Sequence, residues 1–230
     1  LAALGAFTQS VTVVAVYSTL GLDAVVEGVK DNSIRLIVCN KKDVKRLAER
    51  ISSMPTLKYI VYTNDLVAPG DDIEMPKPSK GLTIVSFDDF VENGNITAYP
   101  PTPPKKDTTA VIMYTSGSTG KPKGVVITHA SAVAISAAVD IGLGVIASDV
   151  YLAYLPLAHI MECIAEFTLF GRGCTLCYAD PKSLTNKGSY PLGALEQYKP
   201  SLMVAVPKIW DVIKKGIEAK VHHMSPVKQF

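Results

Sequence analysis

The sequence predicts an α/β fold in which mostly parallel sheets are layered with helices. Two observations lead to this prediction. Apolar runs rich in Val, Ile and Tyr recur along the 230 residues, and segments with helical spacing separate them. Charged residues make up only 19% of the chain, below the roughly 25% of typical soluble domains, which indicates strands that are buried on both faces.

The elements follow in chain order from this alternation. Residues 1–20 are apolar but contain Thr, Gln and Ser, which favours a buried helix leading into a buried strand over a membrane span. Residues 43–53 place Lys and Arg on one face, as a helix with a solvated side does. The elements from residue 11 to residue 62 are expected to form one continuous unit. Besides the helix at 43–53, the elements predicted up to residue 98 are strands at 11–17, 34–39, 57–62 and 83–85 and helices at 22–30 and 87–92.

A proline-rich connection at residues 99–108 is predicted to separate two α/β subdomain parts, 1–98 and 109–230. A crossing over the surface of one domain is the alternative for this stretch. The Ala-rich segment 130–141 is expected to form a buried helix. The elements predicted after the connection are strands at 109–114, 124–128, 150–155, 174–178 and 202–206 and helices at 130–141, 160–170, 192–198 and 208–221.

Charge and cysteine usage exclude some classes of function. The net charge of +2 is small and the lysines are scattered, which argues against a nucleic-acid-binding protein. Four cysteines without a secretory leader favour free thiols and an intracellular location. Cys174 and Cys177 have CxxC spacing, but they lie in an apolar run, so we expect a core strand rather than a metal or redox site.

The residues with the most chemical information are Thr115-Ser-Gly-Ser-Thr-Gly-Lys-Pro-Lys-Gly124, directly after an apolar strand. Glycines allow backbone amides to converge on an anion, hydroxyls donate further hydrogen bonds, and lysines add positive charge. A polyphosphate is the ligand that this mixture fits. A plain hairpin turn is the structural alternative.

The Walker phosphate loop does not fit this segment. Pro122 stands where Ser or Thr should hold magnesium, no glycine lies five residues before Gly120, and residues 125–127 continue as a strand. Gly142 and Gly144 lack the third glycine of a dinucleotide-binding fingerprint and follow a helix. The loop is therefore of another type.

Residues 114–124 resemble, at every position, the signature loop of the adenylate-forming superfamily of acyl-CoA synthetases, luciferases and peptide-synthetase adenylation domains. In that family a carboxylate attacks the α-phosphate of Mg-ATP, pyrophosphate leaves, and the thiol of coenzyme A then takes the acyl group. The resemblance implies that the β- and γ-phosphates are held by residues of this loop, with the two lysines assisting. These residues are Thr115, Ser116, Gly117, Ser118, Thr119, Gly120, Lys121 and Lys123.

Two further segments are similar to family motifs. Tyr154-Leu-Pro-Leu-Ala-His159 resembles the strand end and helix start beside the acyl-adenylate, which implies a catalytic or substrate-positioning role for His159; helix capping is the alternative. The segment before Trp210 resembles the strand and helix at the acyl pocket, so Trp210 is predicted to line that pocket or to be a core side chain. Glu162 and Glu166 are one helical turn apart; we expect them to be solvated or to serve the helix dipole, and a functional carboxylate pair is the alternative.

These segments, with the Val-Tyr-Ser-Thr-Leu-Gly run that ends at Gly21, resemble long-chain fatty acid CoA ligases most. The resemblance implies a fatty acid, ATP and coenzyme A as partners, and Mg²⁺ held by residues that follow Phe230. No metal ligand is assigned within the chain. We expect an internal piece of the family's N-terminal domain, without its C-terminal lid, that is inactive alone and whose parent could reach a membrane through other segments. A relative that binds nucleotide or acyl chains without turnover, or one acting on another carboxylate, is the alternative.

Overall fold

The computed structural model describes residues 1–65, 67–68, 70–77, 81–95, 97–117, 121–186 and 189–222. The chain divides into two compact units, Leu1–Ala132 and Val133–Phe230. This division does not coincide with the proline-rich connection at 99–108, and the subdomain boundary proposed there stays a prediction.

The first unit alternates helices and strands, as the apolar runs predict. Its elements are α1 (Ala2–Thr8), β1 (Val13–Ala15), α2 (Gly21–Asp31), β2 (Leu36–Asn40), α3 (Val44–Glu49), β3 (Tyr59–Thr63), β4 (Thr83–Ser86), α4 (Phe87–Glu92), β5 (Thr109–Thr115) and β6 (Lys123–Thr128). Short 3₁₀ turns flank α3, so the helix predicted at 43–53 is regular only at its centre.

The strands of this unit form two sheets. Strands β2, β3 and β4 are parallel neighbours, and Ile60 at the centre is fully buried. Strand β1 instead pairs in parallel with β5, which pairs with β6 in antiparallel orientation. Residues 11–62 lie within the first compact unit, as predicted, but their strands do not form one sheet, because β1 pairs with the strand that follows the proline-rich connection.

Helix α2 contacts residues of both sheets. Val26 and Val29 are each 3% exposed and belong to the core cluster that contains Ile60. On another face, a Cβ at Gly28 would lie 3.6 Å from the ring of Tyr114 on β5. The end of α2 is thus fixed by a packed core and is close to the end of β5.

Helix α5 (His129–Leu143) crosses the boundary between the units, and the second unit contains β7 (Val150–Ala153), α6 (Ile160–Gly171), β8 (Thr175–Tyr178), α7 (Ala194–Tyr198) and α8 (Pro207–His222). Strands β7 and β8 are parallel. Cys174 directly precedes β8 and Cys177 lies within it; both are free thiols that belong to or pack against core clusters, which confirms the predicted core strand. Both units thus confirm the α/β fold class.

Two expectations about this second unit are wrong. The strand predicted at 202–206 is reduced to one bridge between Tyr151 and Leu202, since the backbone beyond it finds no partner strand among the described residues. The helix predicted to be buried, α5, has no buried residue, and Ile141 on it is 82% exposed. An apolar composition gives burial only where a packing partner is present.

None of the helices in the described ranges combines the length and the apolar character needed to cross a membrane.

Candidate functional site

The predicted phosphate loop connects the antiparallel strands β5 and β6. Thr115 pairs with Lys123, and Tyr114 pairs with Gly124, so the hairpin closes directly below the loop. A strand follows the loop, where a Walker loop would lead into a helix. Thr115, Ser116, Lys121 and Lys123 are exposed, while Ser118, Thr119 and Gly120 lie outside the described residues.

Gly117 shows how tightly the loop folds. A Cβ built on this residue would overlap the carbonyl oxygen of Lys121 and would lie 3.4 Å from Cδ and Cε of Lys123. The backbone of Gly117 therefore lies against the returning arm of the loop, and the aliphatic stem of Lys123 lies beside it. This close approach requires glycine.

The positive charge of the loop is available to a ligand. Lys121 and Lys123 are both exposed, and neither forms an ion pair with a carboxylate within the described ranges. Exposed hydroxyls at Thr115 and Ser116 adjoin them. The described part of the loop thus presents ammonium groups, hydroxyls and a folded glycine backbone at the loop end of the hairpin, which suits a polyphosphate.

His159 is the N-cap of α6. Its Nδ1 accepts a hydrogen bond from the backbone N–H of Met161 at 3.2 Å, and the side chain is otherwise exposed. Because Nδ1 accepts, the proton of the neutral ring is on Nε2, which can donate to a ligand. The capping alternative is therefore confirmed, and the active-site role stays a prediction.

The two roles of His159 can be separated by substitution. His159→Ala is expected to lower the stability of the protein by about 1 kcal/mol because it removes the cap. His159→Asn is expected to keep that stability, because asparagine caps helices well, while it removes the Nε2 donor. Thermal melts of both variants check this, and equal melting temperatures for His159→Ala and the unchanged protein would contradict the capping assignment.

Glu162 and Glu166 on α6 are buried, so the solvated role expected for them is wrong. Glu162 is 0% exposed and its Oε2 accepts from the hydroxyl of Tyr151 at 2.7 Å. Glu166 is 8% exposed and accepts from the hydroxyl of Tyr178 at 2.8 Å. Each carboxyl of this pair has a tyrosine hydroxyl as its partner.

The environment of Glu162 disfavours its charge. Burial, together with the nearby charge of Glu166, raises the pKa of Glu162 to about 7 although the bond from Tyr151 opposes the shift. The other oxygen, Oε1, has no hydrogen-bond partner within the described part of the chain. No clear signal for this burial is present in the sequence, because Glu162 and Glu166 are one helical turn apart, as on a solvated helix face, and Met161 beside Glu162 is 56% exposed.

Trp210 lies on α8 and is 47% exposed. It lines a surface pocket of about 450 Å³. The other lining residues are Leu195, Lys199, Pro200, Ser201, Leu202 and Met203. The side chain is therefore not a core residue, and its acyl-pocket role stays a prediction.

The predicted site residues fall in two places. Gly117, Lys121 and Lys123 come together in the hairpin of the first unit, whereas His159 and Trp210 belong to the second unit. No group of three His, Cys, Asp or Glu side chains suited to hold a metal ion occurs within the described ranges.

The sequence profile of the family described as AMP-binding enzyme matches residues 1–230. This chain belongs to the AMP-binding enzyme family. The match covers the hairpin and the segments of His159 and Trp210, so the resemblance to adenylate-forming acyl-CoA ligases is confirmed. Within that family it is similar to "Long chain acyl-CoA synthetase 8" of Arabidopsis thaliana, with 36% identity over 94% of this chain and 31% of the relative. It is also similar to "Long-chain-fatty-acid--CoA ligase 1" of Schizosaccharomyces pombe, with 34% identity over 100% of this chain and 34% of the relative.

Solved structures of AMP-binding enzymes share the fold. A putative long-chain-fatty-acid CoA ligase from Rhodopseudomonas palustris superposes with a TM-score of 0.69 at 17% identity, covering 92% of this chain and 48% of that chain. The O-succinylbenzoate coenzyme A synthetase of Bacillus subtilis, in complex with ATP and magnesium ion, gives a TM-score of 0.64 at 18% identity, covering 97% of this chain and 38% of that chain. The chain spans about a third of the length of the curated relatives it matches.

Proposed function

We propose that the full-length protein containing this chain activates a long-chain fatty acid with ATP and transfers the acyl group to coenzyme A. The observation that carries the proposal is the loop of the β5–β6 hairpin. There Gly117 lies against Lys121, and the exposed Lys123 forms no ion pair with any carboxylate that the structure describes. The fatty acid substrate is supported by the relatives, which are named long-chain acyl-CoA synthetases and ligases.

In this proposal the loop binds the β- and γ-phosphates of ATP. Backbone amides around Gly117 and the hydroxyls of Thr115 and Ser116 donate hydrogen bonds, and Lys121 and Lys123 offset the negative charge. The α-phosphate then remains open to the substrate. A carboxylate oxygen of the fatty acid attacks the α-phosphorus, the bond to the β-phosphate oxygen breaks, and pyrophosphate leaves with its charge held by the loop.

The second half of the reaction consumes the acyl-adenylate. The sulfur of coenzyme A attacks the acyl carbon, AMP leaves with the bonding electrons, and a thioester forms. His159, with Nδ1 engaged in the cap, offers the Nε2–H as a donor to the adenylate. Trp210 lines the pocket for the acyl chain. Magnesium would balance charge on the phosphates when it is bound, and no cluster of three His, Cys, Asp or Glu that could hold it occurs in the described part of the chain.

The test is fatty-acid-dependent exchange of labelled pyrophosphate into ATP by the full-length protein. Lys123→Ala is expected to lower kcat/KM for ATP by about a hundredfold, as removal of one preorganised charge donor does. Lys58→Ala serves as the matched control, because Lys58 is an exposed lysine of the same unit that directly precedes β3, a strand of the other sheet. Full exchange activity in Lys123→Ala would contradict the site, and ATP binding without any exchange would favour a binding protein over an enzyme.

A further inference from the structure

Tyr114, the last buried residue before the phosphate loop, is hydrogen-bonded to the end of α2, a helix far from it in the sequence. It is 3% exposed, and its hydroxyl donates to Oδ2 of Asp31 at 3.1 Å. The same hydroxyl accepts from Nδ2 of Asn32 at 3.0 Å. Asp31 is the last residue of α2 and Asn32 is its C-cap. Burial raises the pKa of Tyr114, so the hydroxyl keeps the proton that it donates.

The ring of Tyr114 is held by close packing as well. A Cβ at Gly28 of α2 would lie 3.6 Å from the ring, and a Cβ at Gly124 of β6 would lie 3.3 Å from it. The same Cβ at Gly124 would also come within 2.8 Å of Ile112. The ring therefore lies between α2 and the strand that returns from the loop. A Cβ at Gly28 would be in ordinary van der Waals contact with the ring, whereas a Cβ at Gly124 would crowd both the ring and Ile112.

The helix end that holds Tyr114 is itself fixed. Nδ2 of Asn32 also donates to the carbonyl oxygen of Gly28 at 2.9 Å, which satisfies a carbonyl of the last helical turn. Val26 and Val29 hold α2 in the core of the first unit. A continuous set of contacts thus runs from the core through α2 to Tyr114.

We propose that Asp31 and Asn32 are positioning residues for the phosphate loop. They fix the loop through their hydrogen bonds to the hydroxyl of Tyr114, which lies at the end of β5 directly before the loop. This inference rests on the proposed function, since it assigns the loop its task of binding the triphosphate of ATP. Tyr114 is adjacent to Thr115, and Tyr114 pairs with Gly124 on the other arm. One anchor therefore sets the position of both arms of the loop.

Positioning and general stabilisation predict different results. A contact that only stabilises the fold would lower the melting temperature and leave the kinetic constants of the folded enzyme unchanged. A positioning contact affects the bound triphosphate, so its loss raises KM for ATP and leaves KM for the fatty acid unchanged. Looser anchoring also speeds amide hydrogen exchange in residues 115–124 without any ligand.

The experiment compares Tyr114→Phe, Asp31→Ala and Asp31→Asn in the full-length protein. Tyr114→Phe removes both hydrogen bonds, and we expect a rise of about tenfold in KM for ATP and in amide exchange of the loop. Asp31→Ala should raise KM for ATP and the amide exchange of the loop by about threefold. Asp31→Asn should restore both values, because an amide oxygen can still accept from the hydroxyl. Asp23→Ala is the matched control, an exposed aspartate on the same helix whose ion-pair partner among the described residues is the partly exposed Arg50.

Equal loop exchange in Tyr114→Phe and Asp23→Ala would overturn the inference, as would an equal rise in KM for both substrates. Failure of the proposed function is a separate result. If the unchanged full-length protein shows no fatty-acid-dependent exchange, the proposed function is wrong, and the amide exchange of residues 115–124 still decides whether Asp31 and Tyr114 fix the loop.

Discussion

Replacement of Gly117 by alanine is expected to lower pyrophosphate exchange by the full-length protein about a thousandfold, since it displaces several phosphate donors at once. The new Cβ would overlap the carbonyl oxygen of Lys121 and press on the stem of Lys123. Backbone atoms cannot move aside as the end of a flexible side chain can, so the loop must open. Opening moves amides, hydroxyls and Lys123 away from the positions that converge on the triphosphate.

Gly171→Ala is the matched control for this change. Gly171 is the last residue of α6, is exposed, and would have nothing within 4 Å of an added Cβ. Alanine there is expected to be neutral or to stabilise by about 0.5 kcal/mol. The melting temperature of Gly117→Ala should stay near that of the unchanged protein. Exchange activity in Gly117→Ala equal to that in Gly171→Ala would show that the tight fold of the loop is not needed for the reaction.

Glu162→Gln is expected to stabilise the protein at about pH 8 by roughly 3 kcal/mol. Glu162 is fully buried, and its pKa is raised from the usual 4.5 to about 7. A carboxyl whose folded-state pKa is raised contributes stability that is fully present below its unfolded pKa and is lost as pH rises through the folded value. The loss therefore falls between pH 4.5 and about 7. Glutamine keeps an acceptor for Tyr151 and cannot ionise.

The measurement is the melting temperature of both proteins across that pH window. The two curves should nearly coincide at about pH 4, where Glu162 is protonated, and should separate as pH rises, with Glu162→Gln higher. Glu218→Gln, a surface change on α8, should follow the unchanged protein at every pH because its side chain is 52% exposed. A melting temperature of Glu162→Gln below that of the unchanged protein at high pH would contradict a buried carboxyl that resists ionisation.

Local patterns were sufficient to predict the hairpin of the phosphate loop. An apolar strand, a run of Gly, Ser, Thr and Lys, and a second apolar strand define β5, the loop and β6 within 20 residues of chain. The cap at His159 is local in the same way, because a side chain before a helix reaches only the first turn. Features of this kind need no knowledge of tertiary contacts.

Features that depend on distant partners could not be predicted. Asp31 and Tyr114 are separated by 83 residues, and nothing near either one indicates the other. The apolar character of α5 suggested burial, but burial needs a facing element that the helix pattern does not specify. Residues 202–206 have strand composition, yet only Leu202 meets a neighbouring strand, and Pro207 then begins α8. Strand propensity describes a surface that fits a sheet and cannot provide the neighbouring strand.

The burial of Glu162 belongs with the features that could not be predicted. Glu162 and Glu166 are one turn apart on α6, a spacing that favours a solvated or helix-dipole role. The partner that accompanies it, Tyr151, lies on β7 and could be identified only from the structure. Neither the raised pKa of this carboxyl nor the hydrogen bond that partly offsets the shift could therefore be predicted from the sequence.

The central claim is that the loop of the β5–β6 hairpin holds ATP for attack at its α-phosphate. The most direct test is to incubate the full-length protein with ATP, palmitate and labelled pyrophosphate, without coenzyme A, and to follow label entering ATP. The account predicts exchange that requires the fatty acid and is lost in Gly117→Ala, with AMP formed once coenzyme A is added. Exchange that does not need a fatty acid, or formation of ADP in place of AMP, would contradict it.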